Sequence, residues 1–93
     1  MLMDTVFGKG KECFFCGSRY QLNDHHIFPS VADRPVSEKY GLKVWLCYHH
    51  HSQVHAFPNN GLDKNLKEMA QEYYEEFYGS RDDFRKDFRK SYL

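Results

Sequence analysis

The chain has no hydrophobic run near the roughly 20 apolar residues that cross a bilayer, so no membrane-spanning segment is expected. It also has no net charge, since 13 basic side chains balance 13 acidic ones. That balance argues against a protein that coats nucleic acid by bulk attraction and leaves only local patches to do so. Glu68, Glu72, Glu75 and Glu76 form an acidic stretch, while Arg81, Arg85, Lys86, Arg89 and Lys90 gather further on among three Asp. Cysteine is scarce, and a count of three cannot pair fully as disulfides. Met1-Leu2-Met3-Asp4 has neither a basic segment nor an apolar run, so no secretory leader is expected. A reducing cytoplasm suits free thiols of this kind. Length is short as well: 93 residues allow a single domain, 1–93. Such a domain buries only roughly 60–65% of the surface its unfolded chain exposes, and a structural metal often supplies the missing folding free energy.

Aromatic residues and metal ligands are abundant by contrast. Seven Tyr and eight Phe give large contact areas to a thin core. Cys13-x-x-Cys16, Asp24-His25-His26 and Cys47-x-x-His50-His51-x-x-x-His55 hold more soft ligands than one tetrahedral zinc can use. Three cysteines and His50 complete one closed site. His25, His51 and His55 are then left with the right types for a second, open site, and His26 stands beside them. A closed site next to an open one points to a scaffold metal beside a catalytic metal.

Secondary structure places these ligands. Residues 1–11 have little pattern, and Gly8-Lys9-Gly10-Lys11 reads as a flexible lead-in. Gly17 allows the left-handed turn that aims backbone N–H groups at the sulfurs of a knuckle. Residues 20–27 read as a strand that Pro29 ends. Residues 29–41 have neither helical nor strand period and read as a long loop. Residues 42–46 alternate and form a second strand. Residues 48–55 switch to helical spacing, which sets His51 and His55 one turn apart on one face. After the Pro58-Asn59-Asn60-Gly61 break, apolar residues recur every three or four positions in a helix of about 15 residues, with Asp63 or Asn60 as its cap and Gly79 at its end. Ser80-Arg81-Asp82-Asp83 is a capping-box pattern for a further short helix, with Phe84, Phe88 and Tyr92 on one face. The aromatic stripe at 73–78 is expected in the core.

A strand, a loop, a strand and a ligand-bearing helix make a ββα unit. With that ligand order the chain resembles the HNH nucleases of the ββα-metal (His-Me finger) superfamily, over residues 13–55. The 62–93 extension is consistent with small phage-type members. The resemblance implies a small α+β fold: a zinc-braced ββα unit with one or two C-terminal helices. It puts Cys13, Cys16, Cys47 and His50 on a structural Zn²⁺, with His50 where a second Cys is more usual. It puts His25, His51 and His55 on a catalytic divalent metal in the colicin-type manner, and His26 at the position of the general base. The Asn that gives the motif its middle letter falls at Leu42, so its task of steadying the loop that carries the base passes to another group.

The implied activity is hydrolysis of DNA phosphodiester bonds. A cation supplies Lewis-acid stabilisation. A neutral imidazole, with an ordinary pKa of about 6.5, supplies the base. An all-His site accepts Zn²⁺, Ni²⁺ or Mn²⁺ as well as Mg²⁺. His25 and His26 are consecutive in a strand and start on opposite faces, so one can hold metal while the other is kept off it. Arg34 is the candidate phosphate contact, with Lys39 and Lys43 beside it and the basic 81–90 segment in second place. Asp24 reads as solvated or as a partner for a ligating His, and His49 as exposed. The rival reading is a non-catalytic zinc-stabilised module that binds DNA, or a phage accessory or inhibitor protein that binds a host partner.

Overall fold

A computed structural model describes residues 5–7 and 10–93; residues 1–4, 8 and 9, which include part of the expected lead-in, lie outside it. Strand β1 (Leu22–His26) pairs antiparallel with β2 (Lys43–Cys47), in a register that sets His26 opposite Lys43 and Leu22 opposite Cys47. Helix α1 (Arg34–Lys39) lies in the connection between them, and α2 (Tyr48–Ala56) follows β2 directly. Helices α3 (Gly61–Phe77) and α4 (Arg81–Phe88) complete a small α+β fold. Helix α2 packs on both strands and on α3, α4 packs on α3, and α1 packs on β1.

Helix α1 corrects the expectation of a bare loop. Its six residues are too few for a 3.6-residue period to register in sequence. Pro35 looks like a breaker, but it occupies the first turn, where a missing N–H costs nothing. Val36 and Tyr40, one turn apart, rest against the core, and Ser37 between them is fully buried.

The core runs from Cys13 to Phe88 through Ile27, Phe28, Leu42, Val44, Leu46, Val54, Leu66, Ala70, Tyr74 and Phe84. Leu66, Ala70 and Tyr74 form the buried stripe of α3 at four-residue spacing. The stripe at 73–78 is less buried than expected: Tyr74 is in the core, whereas Phe77, the last residue of α3, is 61% exposed. The capping box of α4 is present. Ser80 Oγ accepts from the Asp83 N–H at 3.1 Å and Asp83 Oδ2 accepts from the Ser80 N–H at 2.9 Å, which is worth about 1 kcal/mol. At α3, the Asn60 side chain makes no cap; Asp63 Oδ2 instead accepts from the Asn59 N–H at 2.6 Å and pairs with Lys67 at 2.9 Å.

The aromatics at the C-terminal end hold the loop that follows β1. Phe28 meets Phe88 at 4.4 Å between ring centroids, Tyr92 at 5.3 Å and Phe84 at 5.6 Å. Arg89 donates to the nearly buried Asp33 just before α1. Tyr74 Oη donates to Asp87 at 2.7 Å, which fastens α4 to α3. Helix α4 is therefore a brace on the segment that leaves His26.

Candidate functional site

The first ligand group forms where the N-terminal turn meets the β2–α2 junction. The turn is closed by Gly17 N–H donating to Cys13 C=O and Cys13 N–H donating to Ser18 C=O, both at 2.8 Å. Gly17 takes a φ of +75°, a conformation that side chains with a Cβ resist. Phe14 N–H then donates to Trp45 C=O at 2.9 Å and ties the turn to β2. Cys47 ends that strand and His50 sits one turn into α2, so both aim back at the turn. Cys16 Sγ lies 3.8 Å from Cys47 Sγ. His50 Nδ1 lies 3.5 Å from Cys13 Sγ and 3.3 Å from Cys47 Sγ.

These separations fit one tetrahedral ion. Bonds of about 2.3 Å to sulfur and 2.0–2.1 Å to nitrogen give tetrahedron edges of roughly 3.8 Å between sulfurs and roughly 3.5 Å from sulfur to nitrogen. All four ligand atoms fall within 4.8 Å of one another. Electrostatics favour the thiolate at Cys13. Burial pushes its thiol up, but the N–H groups of Cys47, Cys16 and Phe15 outweigh burial and bring it from 9.0 down to about 6. The Cys13, Cys16, Cys47 and His50 cluster could thus hold a metal ion such as zinc.

The second group joins β1 to α2. His25, His51 and His55 each offer a nitrogen within 4.8 Å of the others, and His51 Nε2 and His55 Nε2 stand 3.0 Å apart. His25 is 3% exposed, and its Nε2 is buried with no hydrogen-bond partner. A buried polar atom without a partner costs roughly 1–3 kcal/mol, and a cation bound there removes that cost. Burial first, and then the neighbouring His51 and His55, hold the His25 imidazole down at about 4, so it stays neutral as a ligand must. Burial also lowers His51, with His55 adding to the effect.

A cavity of about 380 Å³ opens over this group, lined by Asn23, Asp24, His25, His26, Pro29, Arg34, His51 and His55. His26 and Arg34 thus border the same space as the three-His cluster. His26 does not join the cluster. Its Nε2 lies 3.1 Å from Glu38 Oε1 on α1. Glu38 Oε2 in turn stands 2.8 Å from Lys43 Nζ, an ion pair outside hydrogen-bonding angles, and Lys43 donates to Asp24 Oδ2 at 3.3 Å. Burial raises the Glu38 carboxyl, but the neighbouring Lys43 and His26 outweigh it and the net direction is down. Burial lowers the Lys43 ammonium, and Glu38 and Asp24 outweigh it in the opposite direction.

Lys43 corrects its assignment as a DNA contact: it is 5% exposed and engaged on two carboxylates. Asp24 is exposed, as a solvated strand residue is, and pairs with Lys43 rather than backing a ligating His. Arg34 and Lys39 are exposed, as is His49. In the 81–90 segment, Arg81, Arg85 and Arg89 are paired with Glu75, Asp82 and Asp33. Leu42, at the motif's Asn position, is fully buried in the core. Its carbonyl carries the polar contacts there, accepting from the Ile27 N–H at 3.1 Å and from the Ser37 hydroxyl. Glu38 escaped the sequence reading, because α1 is too short to leave a period and the register that sets His26 opposite Lys43 is a tertiary fact. The chain matches no family model, no curated protein and no solved structure.

Proposed function

We propose that this chain is a metal-dependent endonuclease of HNH type that hydrolyses DNA phosphodiester bonds. The observation that carries the reading is the shared cavity: a cluster of three His, one with an orphaned buried nitrogen, faces an imidazole outside the cluster and an exposed arginine. Cys13, Cys16, Cys47 and His50 would hold the structural zinc. His25, His51 and His55 would hold a divalent ion such as Mg²⁺, Mn²⁺, Ni²⁺ or Zn²⁺. Bound there, the ion supplies Lewis-acid stabilisation of charge on the phosphoryl and leaving oxygens. His26 accepts a proton from the attacking water as the water oxygen bonds to phosphorus. The bond from phosphorus to the leaving sugar oxygen breaks, and that oxygen takes up a proton from solvent. Arg34 holds a phosphate of the substrate backbone.

Leu42 in place of the motif Asn favours the second reading, a zinc-stabilised binding module for DNA or for a phage or host protein. Supercoiled plasmid incubated with purified protein separates the two. Cleavage is expected with Mn²⁺, Ni²⁺ or Mg²⁺ and none in EDTA. A folded, zinc-loaded protein that leaves plasmid intact across all these metals rejects the enzyme.

The zero net charge sets a second expectation. Binding through a few phosphate contacts gives a shallow slope of log affinity against log salt, roughly −3 to −5. Arg34→Ala is expected to flatten that slope by about one and to weaken all DNA sequences alike, because phosphate contacts carry no sequence information. Fluorescence anisotropy over a salt series measures both. A slope near zero that ignores Arg34→Ala points to a protein partner.

A further inference from the structure

The imidazole that borders the cavity is gripped from behind. His26 Nε2 is 3.1 Å from Glu38 Oε1, and both side chains are mostly buried, at 11% and 18% exposure. An ionised carboxylate can only accept, so Nε2 must be the donor and must carry the ring proton. The other nitrogen, Nδ1, then bears the lone pair. Glu38 has its own anchor: Lys43 Nζ at 2.8 Å from its second oxygen, itself fixed by Asp24. The backbone that presents Glu38 is also tied down. Buried Ser37 donates to the Leu42 carbonyl and accepts from the Phe28 N–H at 3.5 Å, bridging the segment after His26 to the start of β2.

We propose that Glu38 is the positioning residue of the site: it locks His26 as the Nε2–H tautomer, so that Nδ1 is the atom that accepts the proton of the attacking water. This rests on the hydrolase reading for its catalytic consequence, but not for the tautomer. As the proton arrives on Nδ1, the ring becomes an imidazolium whose Nε2–H already points at a carboxylate, which stabilises the charge that develops. Lys43 fixes which Glu38 oxygen faces the ring. In this chain the ring is oriented by an acid on α1, while the Leu42 side chain belongs to the core.

Three variants read by NMR and by kinetics test this. In ¹⁵N-labelled, zinc-loaded protein at pH 8, long-range ¹H–¹⁵N spectra should show His26 with its proton on Nε2, the signal being assigned by its loss in His26→Ala. Glu38→Gln should invert the tautomer. Lys43 can only donate, so the amide oxygen turns to Lys43 and the amide NH₂ turns to His26, whose Nε2 must then accept. In plasmid cleavage, Glu38→Gln should lower kcat about 10²-fold, with KM and the half-saturating Mn²⁺ concentration held within about twofold. Glu38→Asp keeps the charge for Lys43 but is one methylene short of His26, and should show the same loss of kcat. Wild-type kcat in Glu38→Asp would mean that the carboxylate only neutralises Lys43, and would overturn the proposal. So would a wild-type His26 protonated on Nδ1, or a tautomer indifferent to Glu38→Gln. Inversion in Glu38→Gln in a wild type that cuts no DNA would support the lock and reject the nuclease reading.

Discussion

On the zinc reading of the Cys13, Cys16, Cys47 and His50 cluster, Cys47→Ser is expected to lose the ion and most of the folded population together. A chain of 93 residues has a stability of about 5–14 kcal/mol, and a four-ligand zinc site contributes on the order of 10 kcal/mol at neutral pH. Removing the ion therefore removes a contribution as large as the whole. Cys47 is the strongest place to see this because it lies 92% buried at the joint of β2 and α2, across from Cys13 in the N-terminal turn. A serine hydroxyl there is a poor zinc ligand. Without the ion, the contacts that hold the turn among the described residues are the Phe14 N–H to Trp45 C=O bond, the packing of Cys13 and Phe15 on the core, and Lys11 over the Trp45 ring. Cys16→Ser should behave alike, as should wild type treated with a strong chelator. Zinc content by mass spectrometry, read beside the circular-dichroism melt, checks it. Metal-free protein that melts at the wild-type temperature would show that the aromatic core suffices alone.

Substituting the cavity histidines should divide them into two kinds. His26→Ala is expected to cost 10²–10⁴-fold in cleavage rate, about 3–5 kcal/mol of barrier, with zinc content, divalent-metal affinity and DNA affinity nearly unchanged. His55→Ala and His51→Ala should instead weaken the metal, and excess Mn²⁺ should restore part of their activity. The distinction follows from contacts: His51 and His55 have their Nε2 atoms 3.0 Å apart and face His25, whereas His26 spends its Nε2 on Glu38. Calorimetric Mn²⁺ titration beside plasmid kinetics separates the two classes. If His26→Ala eliminated the metal and His25→Ala did not, the assignment along His25-His26 would be shifted by one residue.

The two ligand clusters are legible in sequence because their spacing is local geometry. A C-x-x-C turn gathers two thiols, a strand-to-helix junction gathers Cys47 and His50, and one helical turn separates His51 from His55. The α4 capping box is legible for the same reason, all its atoms lying within four residues. Glu38 and Lys43 are not. Their roles depend on α1, too short to leave a periodic pattern and opened by a proline that reads as a breaker. They depend also on a strand register that sets Lys43 opposite His26 and turns a lysine inward. Burial of a charged side chain is a tertiary event, and its partners come from elements distant in the chain. The nucleotide-facing role that the sequence lends to Lys43 yields to that pairing, whereas Arg34 stays exposed.

The grip of Phe84, Phe88 and Tyr92 on Phe28 also sets an order in time. A ribosome makes both ligand clusters long before it makes these rings, so a nascent chain can gather its candidate metal ligands while the segment between His26 and Glu38 still lacks the surface it packs on. His26 and Glu38 gain the surface that holds their connecting segment only once residues 84–92 have been synthesised and folded back. On the proposed nuclease reading, a nascent chain that stops short of Phe84 would gather metal ligands without a poised imidazole.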